Sequence, residues 1–350
     1  MATKRLPSMP GLIQVNKSSK MELNCGTIIA GIRRTSHLYS QIVRLENHQG
    51  IINTCKFHPH GELVMSAGFD KQIYIRCVYN SNGIVMTMNG HANTITEAQF
   101  SSDGSTLYTS FLDSSVGIWD IATGCNLELL DDHYSEVNTV QNNKNTHHII
   151  CSGSTDGTVR LWDTREQHAV QVLRCNFQVL ASCFDDRGDH IFSAGDDNCI
   201  QIWDIRRNEL VSTLEGHEEL ISGLALSPCG SFLLSNSLDA TLRIWDMRPF
   251  MDFDRCVDLF PSIQNIDEEN IMRCTWSKDG KMIAAGTSTN HVNIWDINNR
   301  ELMHKLEGHE SSVIDVDFHP HEPIIVSGSS YENLYMHELP CVLEFEEEDI

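Results

Sequence analysis

The residues best suited to chemistry in this chain are its 17 histidines, and two of them begin a known metal-binding pattern. His217-Glu218 and His309-Glu310 match the first half of HExxH, in which two histidines one helical turn apart bind zinc and the glutamate is the general base. Ile221 and Val313 occupy the positions of the second histidine. The surrounding segments also lack the apolar period of a helix, so the sequence excludes this type of zinc site.

Two other histidine pairs flank a proline. His58-Pro59-His60 and His319-Pro320-His321 occupy equivalent positions near the two ends of a repeated region, and we interpret them as turns. A metal site at these histidines is the alternative. The sequence contains neither the GxxxxGK[ST] phosphate loop nor the GxSxG nucleophile turn. We therefore predict that the protein is not an enzyme and that it holds no metal and no cofactor.

The 12 cysteines are scattered, with no CxxC pair, and most lie in apolar stretches that read as strands. No secretory signal and no apolar run of about 18 residues is present, so we expect an intracellular protein. In a reducing compartment, buried free thiols that behave as small hydrophobic groups are the expected state of these cysteines.

Charge is unevenly distributed along the chain. The net charge is −23, yet residues 1–44 hold seven Lys or Arg against one acid, Glu22, while the last seven residues, EFEEEDI, hold five acids. An acidic body repels phosphate backbones, so direct nucleic-acid binding through the body is disfavoured. The basic leader, residues 1–40, is expected to be a flexible solvated segment; contact with RNA or an acidic protein is the alternative.

A tryptophan–aspartate pair recurs at intervals of 43, 41, 42 and 50 residues, at Trp119, Trp162, Trp203, Trp245 and Trp295. Extending the spacing by one repeat in each direction reaches Arg76 and His337, which gives seven repeats. Within a repeat, short apolar runs such as SFLLSNSLDA and TLRIWDMR are bounded by turn residues, which predicts antiparallel strands and almost no helix.

Two more columns keep the same register. A histidine precedes the tryptophan position by 28 residues, or by 29 in the third repeat, at His48, His91, His133, His217 and His309. An aspartate precedes it by six residues, at Asp70, Asp113, Asp156, Asp197 and Asp239. The histidine position holds Cys175 in repeat four and Asp267 in repeat six, where the motif lapses.

These three columns resemble the GH…WD pattern of the WD40-repeat family, and the resemblance covers residues 41–340. It implies an all-β fold, a seven-bladed β-propeller closed by an N-terminal strand at residues 41–45 that forms the outer edge of the last blade. The expected organisation is a basic leader (1–40), a propeller (41–340) and an acidic C-terminal tail (341–350).

The resemblance also implies that the histidine, aspartate, tryptophan and one Ser or Thr of each blade form a buried hydrogen-bond set with a structural role. The complete sets in this sequence are His91/Thr109/Asp113/Trp119, His133/Ser152/Asp156/Trp162 and His217/Ser235/Asp239/Trp245. Such a set is useful only when every member is satisfied. Arg76 replaces tryptophan in blade one, and Tyr331 and His337 replace two members in blade seven, so we expect a less rigid seam between these blades.

Particular stretches are more specific. CKFHPHGELVMSAGFD (55–70), SFLLSNSLDATLRIWDMRPF (231–250) and RCTWSKDGKMIAAGTS (273–288) resemble the WD-repeat subunits of the U5 small nuclear ribonucleoprotein of the spliceosome. The resemblance implies a non-catalytic scaffold for pre-mRNA splicing in the nucleus. It would dock on the large central U5 protein and neighbouring subunits, contact RNA only indirectly, and bind no membrane or small-molecule substrate. A divergent paralogue is the alternative.

Two surfaces are candidates for partner contacts. The residue before the column aspartate usually points to one end of the central channel in this family. Here these candidates include three large apolar side chains, and they are Phe69, Leu112, Thr155, Asp196 and Leu238. The insertion in residues 248–270 is a further candidate. In the alternative function, a substrate receptor of a cullin-RING ubiquitin ligase, Arg165, Arg206 and Arg248 of the three WDxR boxes would contact the adaptor.

Overall fold

The computed structural model describes residues 36–80, 83–89, 93–146, 148–249, 255–261 and 271–340. These residues form 28 β-strands in seven four-stranded antiparallel sheets, and no helix occurs among them. The seven-bladed propeller expected from the repeats is therefore confirmed. Within the part of the chain that is described, no helix is long and apolar enough to cross a membrane.

In six blades the four strands follow one another along the chain, from the channel outwards, and in blade seven the outer strand is the first strand of the chain. In order, they are β1 (Ile42–Leu45), β2 (Ile52–Phe57), β3 (Leu63–Gly68), β4 (Ile73–Cys77), β5 (Ile84–Met88), β6 (Ile95–Phe100), β7 (Thr106–Phe111), β8 (Val116–Asp120), β9 (Asn126–Leu130), β10 (Val137–Asn142), β11 (Ile149–Ser154), β12 (Thr158–Asp163), β13 (Gln171–Arg174), β14 (Val179–Phe184), β15 (His190–Gly195), β16 (Ile200–Asp204), β17 (Glu209–Leu214), β18 (Ile221–Leu226), β19 (Phe232–Ser237), β20 (Thr241–Asp246), β21 (Cys256–Pro261), β22 (Cys274–Trp276), β23 (Met282–Gly286), β24 (Val292–Asp296), β25 (Glu301–Leu306), β26 (Val313–Phe318), β27 (Ile324–Ser329) and β28 (Leu334–Glu338).

Burial changes with the position of a strand in its blade. The second and third strands are buried on both faces, as in β3 and β27, because a neighbouring blade covers each side. The fourth strands alternate instead: β9 exposes Leu127 and Leu129 and buries Leu130. This pattern explains why the second strands read as continuous apolar runs and the outer strands do not.

The apolar core is divided into seven clusters, one between each pair of neighbouring blades. The cluster between blades two and three, for example, packs Val116 and Ile118 of β8 against Val140 of β10 and Trp162 of β12. Removing a blade would expose the faces of two others, so the ring buries its apolar surface only as a whole.

Strand β1 closes the ring, as the sequence predicts. It pairs antiparallel with β28, from Ile42 opposite His337 to Leu45 opposite Leu334, and gives blade seven its fourth strand. The residues before it are also attached, because Ser36 donates from its backbone N–H to Glu338 at 3.0 Å and Leu38 is buried. Blade seven therefore joins the first strand of the chain to the last one, which closes the ring.

Several hydrogen bonds join the seam between blades seven and one, and its lower rigidity stays a prediction. Asp315 of β26 accepts hydrogen bonds from the Cys55 N–H at 2.9 Å and from Lys56 Nζ at 2.7 Å. Asp317 accepts from the Phe57 N–H at 2.8 Å. These carboxylates connect β26 to β2 through charge-assisted hydrogen bonds, which are stronger than hydrogen bonds between neutral groups.

The ten cysteines in the described residues are free, and five of them are buried: Cys55, Cys151, Cys175, Cys183 and Cys274. Burial raises the pKa of the Cys151 thiol to about 12, so this thiol stays protonated and packs as a small apolar group. Of the long insertion, β21 is described and forms the outer strand of blade five; residues 250–254 and 262–270 lie outside the described residues.

Asp317 predicts a measurable pH dependence of stability. Burial raises its pKa from 3.8 to about 6, against the opposing effect of Lys56. The folded protein therefore holds a proton that the unfolded chain releases, and the free energy of unfolding attributable to Asp317 falls as pH rises through about 6. Asp317→Asn keeps an acceptor for Phe57 and should remove this fall.

The test is urea unfolding followed by tryptophan fluorescence at several values between about pH 4 and pH 7, because the fall lies between the two pKa values. We expect the stability of Asp317→Asn to gain on the wild type as pH rises. A constant difference between the two proteins over this range would contradict the assignment of the titration to Asp317.

Candidate functional site

The side-chain hydrogen-bond sets are continuous in blades three and five. His133 Nδ1 lies 2.8 Å from Asp156 Oδ2, its Nε2 lies 2.8 Å from Ser152 Oγ, and Trp162 Nε1 donates to the same Oγ at 2.8 Å. In blade five His217 bridges Asp239 and Ser235 at 2.7 Å on each side, and Trp245 donates to Ser235 at 2.8 Å. Each set ties the link that enters a blade to its second and third strands.

The electrostatics of these sets fit a structural role. Burial raises the pKa of Asp156, but hydrogen bonds from His133 and Thr158 outweigh burial and hold this pKa well below its usual value. Burial lowers the pKa of His133. The aspartate is therefore ionised, and the imidazole is hydrogen-bonded on both sides inside the blade.

Blades one and two contain partial sets. His48 bonds Asp70 and Ser66, each at 2.8 Å, while Arg76 replaces the tryptophan and donates to the Glu46 carbonyl at 2.6 Å. In blade two Trp119 donates to Thr109 at 2.9 Å, and Asp113 accepts from the Ser115 N–H at 3.2 Å. His91 lies outside the described residues. The sequence analysis did not include a hydrogen-bond set in blade one, because the tryptophan of that repeat is missing.

Blades four and seven lack the usual histidine or aspartate of the repeat, and their remaining side chains still form part of the hydrogen-bond set. The repeat spacing alone did not predict these bonds. In blade four Cys175 Sγ lies 3.4 Å from Ser193 Oγ, which also accepts from Trp203 at 3.0 Å. In blade seven His309 bonds Ser327 at 2.7 Å, although no aspartate stands at the column position, and its Nδ1 is buried without a partner. Burial, with a smaller effect of His337, lowers the pKa of His309 to about 3, so this ring is neutral.

At the channel wall, several inner strands begin with a polar bond to the next blade. Asn53 donates to the Ile95 carbonyl at 2.7 Å, and Asn138 donates to the Val179 carbonyl at 2.8 Å. The register of β2 and β10 shifts at these residues, which is a β-bulge. The bulge turns the side chain sideways, so the polar group meets the neighbouring blade.

Arg273 occupies the same place in blade six, and its long side chain spans the channel. Its Nη1 donates to the Asn53 carbonyl at 2.8 Å, and its Nη2 donates to the Thr96 carbonyl at 3.1 Å and the Asn138 carbonyl at 3.2 Å. Glu97, which lies 3.6 Å from Arg273 Nε, also accepts from the Val140 N–H at 3.0 Å. One guanidinium therefore connects blade six with blades one, two and three.

The predicted channel-end contacts differ in exposure. They lie in the turns between second and third strands; we call the face that carries these turns and the links between blades the upper face. Phe69 is 58% exposed and Asp196 is exposed. Leu112, Leu238 and Thr155 are half-buried, so Phe69 is the main apolar side chain that this column presents.

The arginines of the WDxR boxes lie on the opposite, lower face and have local partners. Arg165 Nε donates to Asp163 at 2.8 Å, Arg248 Nε to Asp246 at 3.0 Å, and Arg206 Nη2 lies 2.8 Å from Asp189. All three side chains remain largely exposed. The structure thus gives each arginine a local ion pair, and their role as adaptor contacts stays a prediction.

The paired turn histidines are also on the lower face. His58 Nε2 lies 3.0 Å from the Gly104 carbonyl, and His319 Nε2 lies 2.8 Å from the Gly61 carbonyl, so each ring bonds the equivalent turn of the next blade. Among the described residues, no group of three His, Cys, Asp or Glu side chains is arranged to hold a metal ion.

Comparison with known proteins adds two kinds of similarity. The chain matches the family model for the WD domain, G-beta repeat, over residues 39–76, 82–120, 124–163, 168–204 and 208–246. Residues 253–321 match the model for the WD40 domain of anaphase-promoting complex subunit 4.

Several curated proteins are similar over nearly their whole length. The U5 small nuclear ribonucleoprotein 40 kDa protein of Homo sapiens is 43% identical over 310 residues, which cover 89% of this chain and 87% of that protein. The protein of the same name from Dictyostelium discoideum is 37% identical over 93% of each chain. Pre-mRNA-splicing factor cwf17 of Schizosaccharomyces pombe is 33% identical over 88% of this chain and 90% of its own.

The hydrogen-bond sets predict a measurable loss of stability. Ser152→Ala removes the oxygen shared by His133 and Trp162 and leaves two buried nitrogens without a partner. We expect the free energy of unfolding to fall by about 1–3 kcal/mol, measured by urea unfolding. Thr213→Ala on outer strand β17 is the control and should change it by less than about 0.5 kcal/mol. Equal effects of the two substitutions would contradict the buried set.

Arg273 gives a second stability prediction. Arg273→Met keeps most of the side-chain length but leaves three carbonyls in the channel without their donor. We expect a loss of about 2–4 kcal/mol in the free energy of unfolding. Arg165→Met, which breaks one exposed ion pair, should cost less than about 1 kcal/mol. If Arg273→Met were as mild as its control, the guanidinium would not be a link between blades.

Proposed function

Since this chain belongs to the WD-repeat (WD40) family, we propose that it is a non-catalytic scaffold of the U5 small nuclear ribonucleoprotein that acts in pre-mRNA splicing in the nucleus. The observation that carries the proposal is the similarity to U5 40 kDa proteins over nearly the full length of both chains. The similarity to a pre-mRNA-splicing factor from a distant fungus supports the same process.

The proposed mode of action is protein contact. The histidines and aspartates of the repeats bond one another inside blades, so the residues that most resemble catalytic groups are committed to structure. The partners that we propose are the large central protein of the U5 particle and its neighbouring subunits. RNA would join through the particle, because a chain with a net charge of −23 repels a phosphate backbone.

The upper face is the proposed docking face, with Phe69 as its apolar anchor. Phe69 is 58% exposed, and covering it with a partner contributes about 1–2 kcal/mol to the free energy of binding. Apolar anchors of this kind often dominate the energy of an interface. Leu112, Thr155, Asp196 and Leu238 lie in the equivalent turns of other blades and would contribute the surrounding contacts.

The experiment is affinity purification of the tagged full chain from nuclear extract, with mass spectrometry and detection of the U5 RNA. Phe69→Ala should reduce recovery of U5 components about tenfold or more, as expected for an anchor worth over 1.4 kcal/mol. Leu127→Ala is the matched control: this side chain is 60% exposed on outer strand β9, away from the upper face, and recovery should not change.

Two results would overturn parts of the proposal. Equal recovery with Phe69→Ala and Leu127→Ala would place the docking face elsewhere. Recovery of a cullin adaptor without any U5 component would contradict the splicing function, and Arg165→Ala and Arg206→Ala would then test whether the WDxR arginines bind that adaptor.

A further inference from the structure

A polar groove of about 730 Å³ lies on the upper face between blades three and four. Tyr134 and Arg160 of blade three line one side, and Asp196 of blade four lies on the other. Arg174, at the end of β13, also lines it. Asp156 and Thr158 of the blade-three hydrogen-bond set line it as well.

Arg160 is only 7% exposed and incompletely bonded. Its Nε is buried with no hydrogen-bond partner. The nearest carboxylate, Asp132, lies 4.0 Å from Nη1 and already accepts the Ala169 N–H at 2.7 Å and approaches His168 Nδ1 at 3.1 Å. A buried guanidinium with an unmet donor is costly unless an anion completes it.

The surroundings of Arg160 are suited to an incoming side chain. The Tyr134 ring is 88% exposed and lies 5.3 Å from the Arg160 guanidinium carbon, which orients that guanidinium by a cation–π contact. Arg174 is exposed and adds a second positive charge to the groove.

The contrast with the other surface arginines is informative. Most of those described have a carboxylate within 4.0 Å: Arg44, Arg165, Arg206, Arg207, Arg248 and Arg300. On so acidic a protein this neutralisation is expected. Among the described residues two exposed arginines, Arg174 and Arg187, have no carboxylate within 4.0 Å, and of these two Arg174 lines the groove. Arg160 has only Asp132, at 4.0 Å.

We propose that this groove binds one anionic side chain of a partner protein segment, a carboxylate or a phosphate ester, between Arg160 and Arg174. The paired donors of a guanidinium match both groups. The Tyr134 ring covers the apolar part of the same segment. The identity of the partner rests on the proposed function, whereas the binding chemistry does not.

The acidic residues of the groove limit the ligand to a single anion. Asp156 is already bonded to His133 and to the Tyr134 N–H, so it does not compete for the arginines. Asp196 is exposed at the far side and repels a second negative charge. RNA and polyacidic segments are therefore disfavoured relative to a segment with one isolated acidic or phosphorylated residue.

The test follows the arginine Nε–Hε signals of the isotope-labelled full chain by NMR during titration. The probes are N-acetyl-glutamate amide, N-acetyl-phosphoserine amide and, as the uncharged control, N-acetyl-glutamine amide. Arg160→Lys identifies the Arg160 signal by its loss and keeps the charge. We expect saturable shifts of the Arg160 signal with one or both anions, with a Kd on the order of millimolar for so small a probe, and none with the glutamine probe.

Two variants separate binding from folding. Arg174→Gln should weaken anion binding at least about threefold while the other arginine signals stay in place, because one of two charges is lost. Arg243→Gln is the matched control: Arg243 holds the equivalent position on β20, its Nε is also buried without a partner, and it does not line this groove. Binding should be unchanged in this variant.

The anion that shifts the signal more strongly identifies the chemistry of the partner residue. Unsaturable shifts with both anions, equal shifts with the glutamine probe, or an unchanged affinity in Arg174→Gln would overturn the proposal. Because the probes are single amino acids, failure here leaves the U5 assignment standing, and absence of U5 components in the affinity purification leaves the groove standing.

Discussion

The structure depends on one constraint: a four-stranded blade with two apolar faces is covered only by its neighbours, so every blade needs two others. The core is accordingly split into seven inter-blade clusters, and none is complete without a closed ring. Closure is thus the step on which the fold depends. Strand β1 completes blade seven by pairing with β28, and the core of the seam places Val43 of β1 with Val64 of blade one and Met336 of blade seven. The first and last parts of the ring are joined by both hydrogen bonds and apolar packing.

Polar side chains form stabilising bonds in two places, within the blades and at the central axis. Within blades three and five, the histidine, serine, aspartate and tryptophan bonds hold the incoming link against the second and third strands, around Ser152 and Ser235. At the axis, Asn53, Asn138 and Arg273 connect inner strands of different blades. This division leaves much of the upper face outside these two groups of bonds. Residues there, such as Phe69 and Tyr134, are exposed without a folding reason and are the natural places for partners to bind.

The periodic part of this architecture could be predicted from the sequence, and the non-periodic part could not. Residues that recur at fixed spacing predict seven blades, because equivalent positions of each repeat pack in the same way and therefore use the same residue types. The closing strand and the sets of blades three and five follow from those columns. Arg273 and Asp315 escaped prediction because their partners lie in distant repeats: Arg273 bonds residues 220, 177 and 135 positions away. Asn53, Thr96, Asn138 and Ser222 share one position in their repeats, and this column was the available signal for the bonds at the axis.

The sequence also could not predict the bonds of residues that replace the usual residue type at a repeat position. Cys175 and Arg76 occupy motif positions with different chemistry, and only the geometry shows that Cys175 still reaches Ser193 while Arg76 turns to a backbone carbonyl. Exposure was also invisible in the pattern, since Phe69 is exposed where Leu112 and Leu238 are half-buried. Neighbouring loops decide such differences, and loops do not repeat.

Sedimentation tests the proposal that this propeller is a resident scaffold of the U5 particle. Nuclear extract containing the tagged chain is separated on a glycerol gradient, and each fraction is probed for the chain and for the U5 RNA. We expect most of the chain to sediment with the U5 RNA. After nuclease digestion of exposed RNA, the chain should still sediment with the U5 proteins. A chain found only near the top of the gradient, as expected for a free 39.5 kDa protein, would contradict the proposal.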